Sequence, residues 1–296
     1  MILDVLLDTL IDSLKLIPFL FLTYLIMEYL EHKTGEKSKV VMQNSGKYGP
    51  LIGGIVGAFP QCGFSAAAAS LFAGGVISVG TLLAIFLSTS DEMLPIFISE
   101  SVAPATIFRI LGTKVLLGAV SGFLIDFLWK FGKKKSKEKE THSHHEHEDK
   151  NIHNLCEHEH CHCEEGGILK SALTHTAQIA LFIFAVSFII GLVVEVVGQE
   201  QIGSIVSTQP IVGVFLAALV GLIPNCASSV VITQLFLNGI LGSGQMMAGL
   251  LVGAGVGVLV LFRTNKNIKE NLGIIGILYG LGVFWGILIE VLGIAF

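Results

Sequence analysis

Eight apolar stretches, near residues 14–31, 48–74, 76–98, 105–130, 171–197, 208–237, 239–262 and 272–296, follow one another with short polar connections between most of them. Several exceed the roughly 18 residues that a membrane-spanning helix requires. The chain therefore reads as an all-α polytopic membrane protein. Its composition agrees, because 52% of its 296 residues are hydrophobic and 14% are charged, whereas a water-soluble domain charges about a quarter of its residues. The net charge of -5 leaves no basic face for nucleic acid. Asp4, Asp8 and Asp12 stand where a cleaved signal peptide would need basic residues, so the N-terminus is expected in the mature protein.

One long polar segment divides the chain. The expected organisation is a first membrane repeat over 1–131, a His- and Cys-rich polar cytoplasmic loop over 132–166, and a second membrane repeat over 167–296. The two repeats match at one offset of 164 residues without a gap. Pro60, Cys62, Leu71, Phe72 and Gly75 fall on Pro224, Cys226, Leu235, Phe236 and Gly239, Asp126 falls on Glu290, and Glu31 falls on Glu195. Rare residue types matching in this way are hard to attribute to shared apolar composition.

Loop charge then orients the halves. The connection 32–47 holds Lys33, Lys37, Lys39 and Lys47, while its counterpart 198–209 holds no Lys or Arg. The later pair reverses this: 99–107 has none, and 263–270 holds Arg263, Lys266 and Lys269. If basic loops are cytoplasmic, equivalent loops lie on opposite sides and the repeats are inverted. Inversion requires an odd number of crossings per half. Proline removes a helix hydrogen bond, so Pro60 and Pro224 are expected to split 48–74 and 208–237 into broken or re-entrant helices. The expectation is two inverted repeats of about five membrane segments each. A plain proline kink is the simpler alternative.

The candidate site follows from those breaks. Phe59-Pro60-Gln61-Cys62-Gly63-Phe64-Ser65 and Ile223-Pro224-Asn225-Cys226-Ala227-Ser228-Ser229 each offer a carboxamide, a thiol, hydroxyls and freed carbonyls, and inverted-repeat transporters place such breaks at the substrate. Gln61, Cys62, Ser65, Asn225, Cys226 and Ser229 are candidate ligands, against a packing role for small cysteines and serines. Ser90, Asp91 and Glu92, in the run Ser88-Thr89-Ser90-Asp91-Glu92, add intramembrane carboxylates that usually mark an ion path. The other half reads Val252-Gly-Ala-Gly-Val256 there, so only one half supplies charge. Glu28 is a further candidate, whereas Glu31, Glu195, Asp126 and Glu290 lie near helix ends and read as interfacial. Cys62, Cys226, Asp91 and Glu92 are the expected metal ligands. Lys114 and Arg109 are expected to snorkel or pair with an acid, and His175 to serve a helix end or the pathway. The glycine pairs Gly118/Gly122, Gly276/Gly280 and Gly282/Gly286 read as helix-packing positions.

Residues 141–163 carry eight histidines and three cysteines. His142, His144, His145, His147, Cys156, His158, His160, Cys161, His162 and Cys163 form an accessory metal-binding set, since imidazole with thiolate suits zinc, copper, nickel or cobalt. Their irregular spacing fits a flexible loop better than a folded zinc domain.

The motifs resemble a known family, the ten-transmembrane heavy-metal exporters, whose members are labelled manganese transporters or arsenic efflux proteins. The resemblance rests on Leu16-Ile-Pro-Phe-Leu-Phe-Leu-Thr-Tyr24 with Glu28 and Glu31, Gly57-Ala-Phe-Pro-Gln-Cys-Gly-Phe-Ser65, Ser88-Thr-Ser-Asp-Glu-Met-Leu-Pro95, His175-Thr176 and Pro224-Asn-Cys226. It implies metal or metalloid efflux, with manganese leading. The alternatives are an arsenite or metalloid permease working through Cys62 and Cys226, and a membrane metal sensor without transport. No nucleotide-binding Walker motif occurs, so a secondary mechanism is expected, with Asp91 or Glu92 as candidate proton carriers. No enzyme activity is expected, because neither cysteine has an evident acid-base partner. No cofactor is expected either, the divalent ion being substrate. Expected partners are the lipid of a cell inner (plasma) membrane, crossed many times, the metal ion and, as an option, further copies of the chain in a homo-oligomer.

The charge asymmetry makes a direct prediction about topology. Reporter tags at Val40, Glu140 and Lys266 should read cytoplasm, and tags at Ala103 and Gly203 the opposite side. Val40 and Gly203 reporting the same side would remove the inverted arrangement.

Overall fold

The computed structural model describes residues 48–60, 62–90, 93–137, 163–197 and 210–296, together with separate helical positions between Val5 and Leu25. Every regular element among these residues is an α-helix. The order is α1 (Gly49–Gly57), α2 (Cys62–Ala73), α3 (Val79–Ser88), α4 (Met93–Ser99), α5 (Pro104–Lys137), α6 (Cys163–Val197), α7 (Pro210–Gly221), α8 (Cys226–Leu237), α9 (Ser243–Val252), α10 (Val256–Thr264) and α11 (Ile268–Val291).

Pro50 sits in the first turn of α1, where its missing N–H costs nothing. Pro60 and Pro224 lie in the gaps between α1 and α2 and between α7 and α8, so both stretches are broken where expected. At about 1.5 Å per residue these 9- and 12-residue helices reach at most about 18 Å, short of a hydrocarbon core of about 30 Å. None crosses a bilayer alone.

Five runs are long and apolar enough to cross: Val79–Ser99, Pro104–Lys130, Ala172–Ile189, Ser243–Thr264 and Ile268–Val291. Two of them are interrupted, which the sequence reading of 76–98 and 239–262 as continuous stretches had not anticipated. The helical path through Val79–Ser99 stops at Ser88 and resumes at Met93, and that through Ser243–Thr264 stops at Val252 and resumes at Val256. In the first, the Ser88 and Thr89 hydroxyls donate to the carbonyls of Ala84 and Ile85, competing with the backbone for the last turn. Thr89 then leaves helical geometry at φ -51°, ψ 127°. In the second, Gly255 adopts φ 53°, ψ -136°, a conformation that only glycine takes without strain.

The 164-residue offset reappears in the elements themselves. α2 and α8 begin at Cys62 and Cys226, α3 and α9 at Val79 and Ser243, α5 and α11 at Pro104 and Ile268. α2 and α8 end in the same turn. Gly75 at φ 73° and Gly239 at φ 72° donate to Phe72 and Phe236, while Val76 and Ile240 reach back to Leu71 and Leu235. This closes both helices with a Schellman pair of bonds.

The start of α3 and of α9 is held by a carboxylate from the last long helix of the same half. Asp126 accepts from Gly80 N–H at 2.8 Å and from the Ser78 hydroxyl at 2.6 Å. Glu290 accepts from Gly244 N–H at 3.0 Å. Both acids, which sequence placed only near helix ends, therefore serve as helix caps, the favoured place for negative charge.

Packing repeats too. α1, α3 and α5 lie together, as do α7, α9 and α11, through close backbone approaches that a side chain at Gly118, Gly122, Gly282 or Gly286 would obstruct. Gly276 and Gly280 differ from the sequence reading, since nothing within 4 Å would meet a Cβ at either. The halves interlock: α2 packs against α10 of the other half and α8 against α4. The two interrupted runs form the interior, 75% and 89% buried, whereas the α5 and α11 runs are 39% and 33% buried. Phe108, Leu116 and Phe127 on α5 and Leu272, Phe284 and Val291 on α11 present apolar surface outward, as a lipid-facing wall requires.

Asp126→Ala removes the acceptor for two donors at the start of α3, and should lower stability by about 1–3 kcal/mol. In detergent-solubilised protein this reads as a fall in melting temperature, with Asp126→Asn, which keeps one acceptor, falling less. Equal melting of Asp126→Ala and wild type would remove the capping role.

Candidate ion pathway

The four helix interruptions are neighbours. Ser90, buried in the gap after α3, donates its hydroxyl to the carbonyl of Ala58 in the gap after α1, at 2.6 Å. In the second half Gly253, after α9, lies beside the Gly221 carbonyl at the end of α7. The two halves are joined at this level by Lys114.

Lys114 is fully buried near the middle of the α5 span. Its Nζ donates to the carbonyl of Thr89, the residue that ends α3, and at 2.9 Å to that of Leu250 in the last turn of α9. The expectation of snorkelling is corrected: the side chain points inward and finds acceptors on two helix C-termini, where a cation is favoured. Arg109, about a turn and a half earlier, is exposed.

The break at Pro224 is closed by local bonds. Asn225 N–H donates to Ile223 at 2.8 Å, and the Ser228 hydroxyl donates to Ile223 at 3.2 Å and to Asn225 at 2.9 Å. Ser228 thus holds the loop. The Asn225 carboxamide donates across to the Ser187 carbonyl of α6 at 3.4 Å. The Ser187 hydroxyl is buried beside this contact, with no partner among the described residues. Sequence reasoning passed over Ser187, although the 164-residue offset places it on Thr23, a second hydroxyl.

Of the other expected ligands, Ser65 is fully buried and packs against Gly257 of α10. Ser229 is half-buried on α8, its carbonyl accepting from Thr233 at 2.7 Å. Cys62 and Cys226 occupy the first helical positions of α2 and α8, and their side chains lie outside the described residues. So do Glu28, Gln61, Asp91, Glu92, the side chain of His175, and the loop ligands His142 through Cys163, although the α6 backbone already begins at Cys163. Among the described residues no three His, Cys, Asp or Glu side chains converge on a common point.

The arrangement is a buried meeting of helix ends. N-termini of α2 and α8 carry the cysteines, C-termini of α3 and α9 surround an ammonium, and hydroxyls tie the loops between them. Irregular backbone at such depth is tolerated only inside protein or beside a water-filled cavity.

Comparison with protein families supplies the class. Residues 2–163, more than half of the 296, match the ArsP_2 family, whose description reads "Putative, 10TM heavy-metal exporter". The chain belongs to this family. The match takes in the first membrane half and the His-rich segment. Comparisons with curated proteins and with solved structures returned no match. The family's description is of a membrane exporter, in keeping with the five runs able to cross a bilayer.

Ser90 tests whether the first-half loops act together. Ser90→Ala leaves the Ala58 carbonyl without its hydroxyl partner, an effect of about 1–3 kcal/mol for a buried acceptor. Metal flux in proteoliposomes should fall several-fold. Ser99→Ala, which removes only an exposed local bond to Ile96, should leave it unchanged. Equal flux in the two variants would make Ser90 a packing residue.

Proposed function

We propose that this protein is a secondary transporter that exports a divalent heavy-metal ion across a cell inner membrane, with manganese as the leading substrate. The observation that carries the reading is the pair of buried helix interruptions after Ser88 and Val252, bridged by Lys114 and flanked by the breaks at Pro-Gln-Cys and Pro-Asn-Cys. Carboxylate, carboxamide and carbonyl oxygens from Asp91, Glu92, Gln61, Asn225 and the broken backbone suit a hard ion such as Mn²⁺. The resemblance drawn from sequence points the same way. Burial of the helix ends after Ser88 and Val252 gives the low dielectric in which a few partial charges bind an ion strongly.

We read the two halves as inverted repeats of about five membrane segments each, with α1–α2 and α7–α8 as re-entrant hairpins that enter and leave on one side. The opposed loop charges support this reading, as does Trp285 Nε1 donating to Ser121 Oγ at 2.9 Å. Those positions are themselves 164 residues apart, so an axis relating the halves would pass between them. Rocking of one half against the other about that axis would expose the site alternately to the two faces. The His-rich loop, placed in the cytoplasm, would gather metal at the entrance.

One observation favours a second reading. Two thiols in equivalent positions suit a thiophilic centre, and arsenite or another metalloid would bind them in preference to oxygen donors.

Cys62→Ser, Cys226→Ser and the double variant separate the two. With manganese as substrate, each single variant should lower flux in proteoliposomes, and the double should cost less than the sum if both thiols serve one site. With arsenite, any single loss of thiol should abolish transport. A deletion strain whose tolerance and cell content change for neither element would overturn the export reading.

A further inference from the structure

A lysine whose ammonium lies wholly inside a membrane protein stands where charge is expensive, so its acceptors indicate why it is retained. Lys114 donates to carbonyls of Thr89 and Leu250, which come from equivalent helices of the two halves, 25 and 136 residues away in sequence. The Leu250 carbonyl is freed by the helix break. Ala254, four residues on, gives its N–H to Val252 at 2.7 Å instead. Thr89 is the residue at which α3 leaves helical geometry.

Each helix C-terminus carries about half a negative elementary charge, so two converging termini present about one. A single ammonium matches that. Among the described residues Lys114 is the buried ammonium, and the position equivalent to it is the fully buried Leu278. α3 and α9 themselves contain no charged residue. In transporters with broken helices, unwound carbonyls and half-helix C-termini are the groups that coordinate a monovalent coupling ion.

We propose that the carbonyl oxygens converging from α3 and α9 form a monovalent-cation site, and that Lys114 occupies it with its own ammonium. The protein carries its site cation covalently and needs no sodium or potassium ion there. The compact, singly charged ammonium on a flexible stem is suited to this in a way that a planar guanidinium is not. The proposal does not depend on which metal is exported.

Removing the tether should turn the site into one for a soluble cation. The full-length protein is purified as wild type, Lys114→Ala and Lys114→Gln, and melted in choline, sodium, potassium, ammonium and methylammonium chloride at equal ionic strength. Both variants should melt below wild type in choline. One or more of the small cations should raise the Lys114→Ala midpoint saturably by about 3–5 °C, while wild type stays unmoved by the exchange. In proteoliposomes, metal flux of wild type should be indifferent to sodium, and that of Lys114→Ala should drop about tenfold or more in choline and recover with the same cation that stabilises it. A variant whose midpoint is the same in all five salts overturns the proposal. Failure of both variants to fold in every medium also overturns it, because a site that no mobile cation can enter is a structural strut. The melting arm needs no transported metal. A wild type that moves none therefore counts against the exporter reading, while the cation-specific shift still decides this one.

Discussion

A backbone that leaves the helix inside a bilayer has no water to turn to, so each N–H and C=O freed at a break must find its partner within the protein. Among the described residues this chain leaves the helix at four matched breaks, and the two after Ser88 and Val252 are buried. Much of the surrounding detail answers that constraint. Ser228 gives its hydroxyl to two loop carbonyls, Ser90 to a third, and Lys114 to two more at the helix ends. Asp126 and Glu290 do the reverse task at the other ends of α3 and α9, accepting from N–H groups that the first turn cannot use.

Satisfying the breaks also determines how the halves are assembled. The interrupted helices are too short or too polar in their middles to face lipid, and they are enclosed by the long helices α5 and α11, whose outward faces are apolar. The exchange of contacts, α2 with α10 and α8 with α4, makes neither half complete without the other. Phe97 and Phe236 meet across one of these junctions with ring centroids 6.4 Å apart.

Much of the frame was legible in advance. The breaks at Pro60 and Pro224 were readable because proline acts locally, through its missing N–H and its effect on the preceding residue. The repeat was readable because proline, cysteine and acid residues recur without a gap. The gaps after Ser88 and Val252 were not readable, since serine, threonine and glycine occur inside many continuous membrane helices. Whether they end one depends on what receives the freed carbonyls.

Sequence by itself determined the all-helical membrane class, the division into two halves and the positions of the Pro-Gln-Cys and Pro-Asn-Cys breaks, because hydropathy, proline geometry and residue identity act within one stretch of chain. Only the tertiary structure decided what the polar residues do there. Lys114 in an apolar run reads as a cation that snorkels or pairs with an acid until helix ends from 25 and 136 residues away are seen to meet its ammonium. Asp126 and Glu290 read as interfacial acids until Gly80 and Gly244 present their N–H groups. The reason is the same in each case: a buried polar group is defined by its partner, and these partners are brought near only by packing.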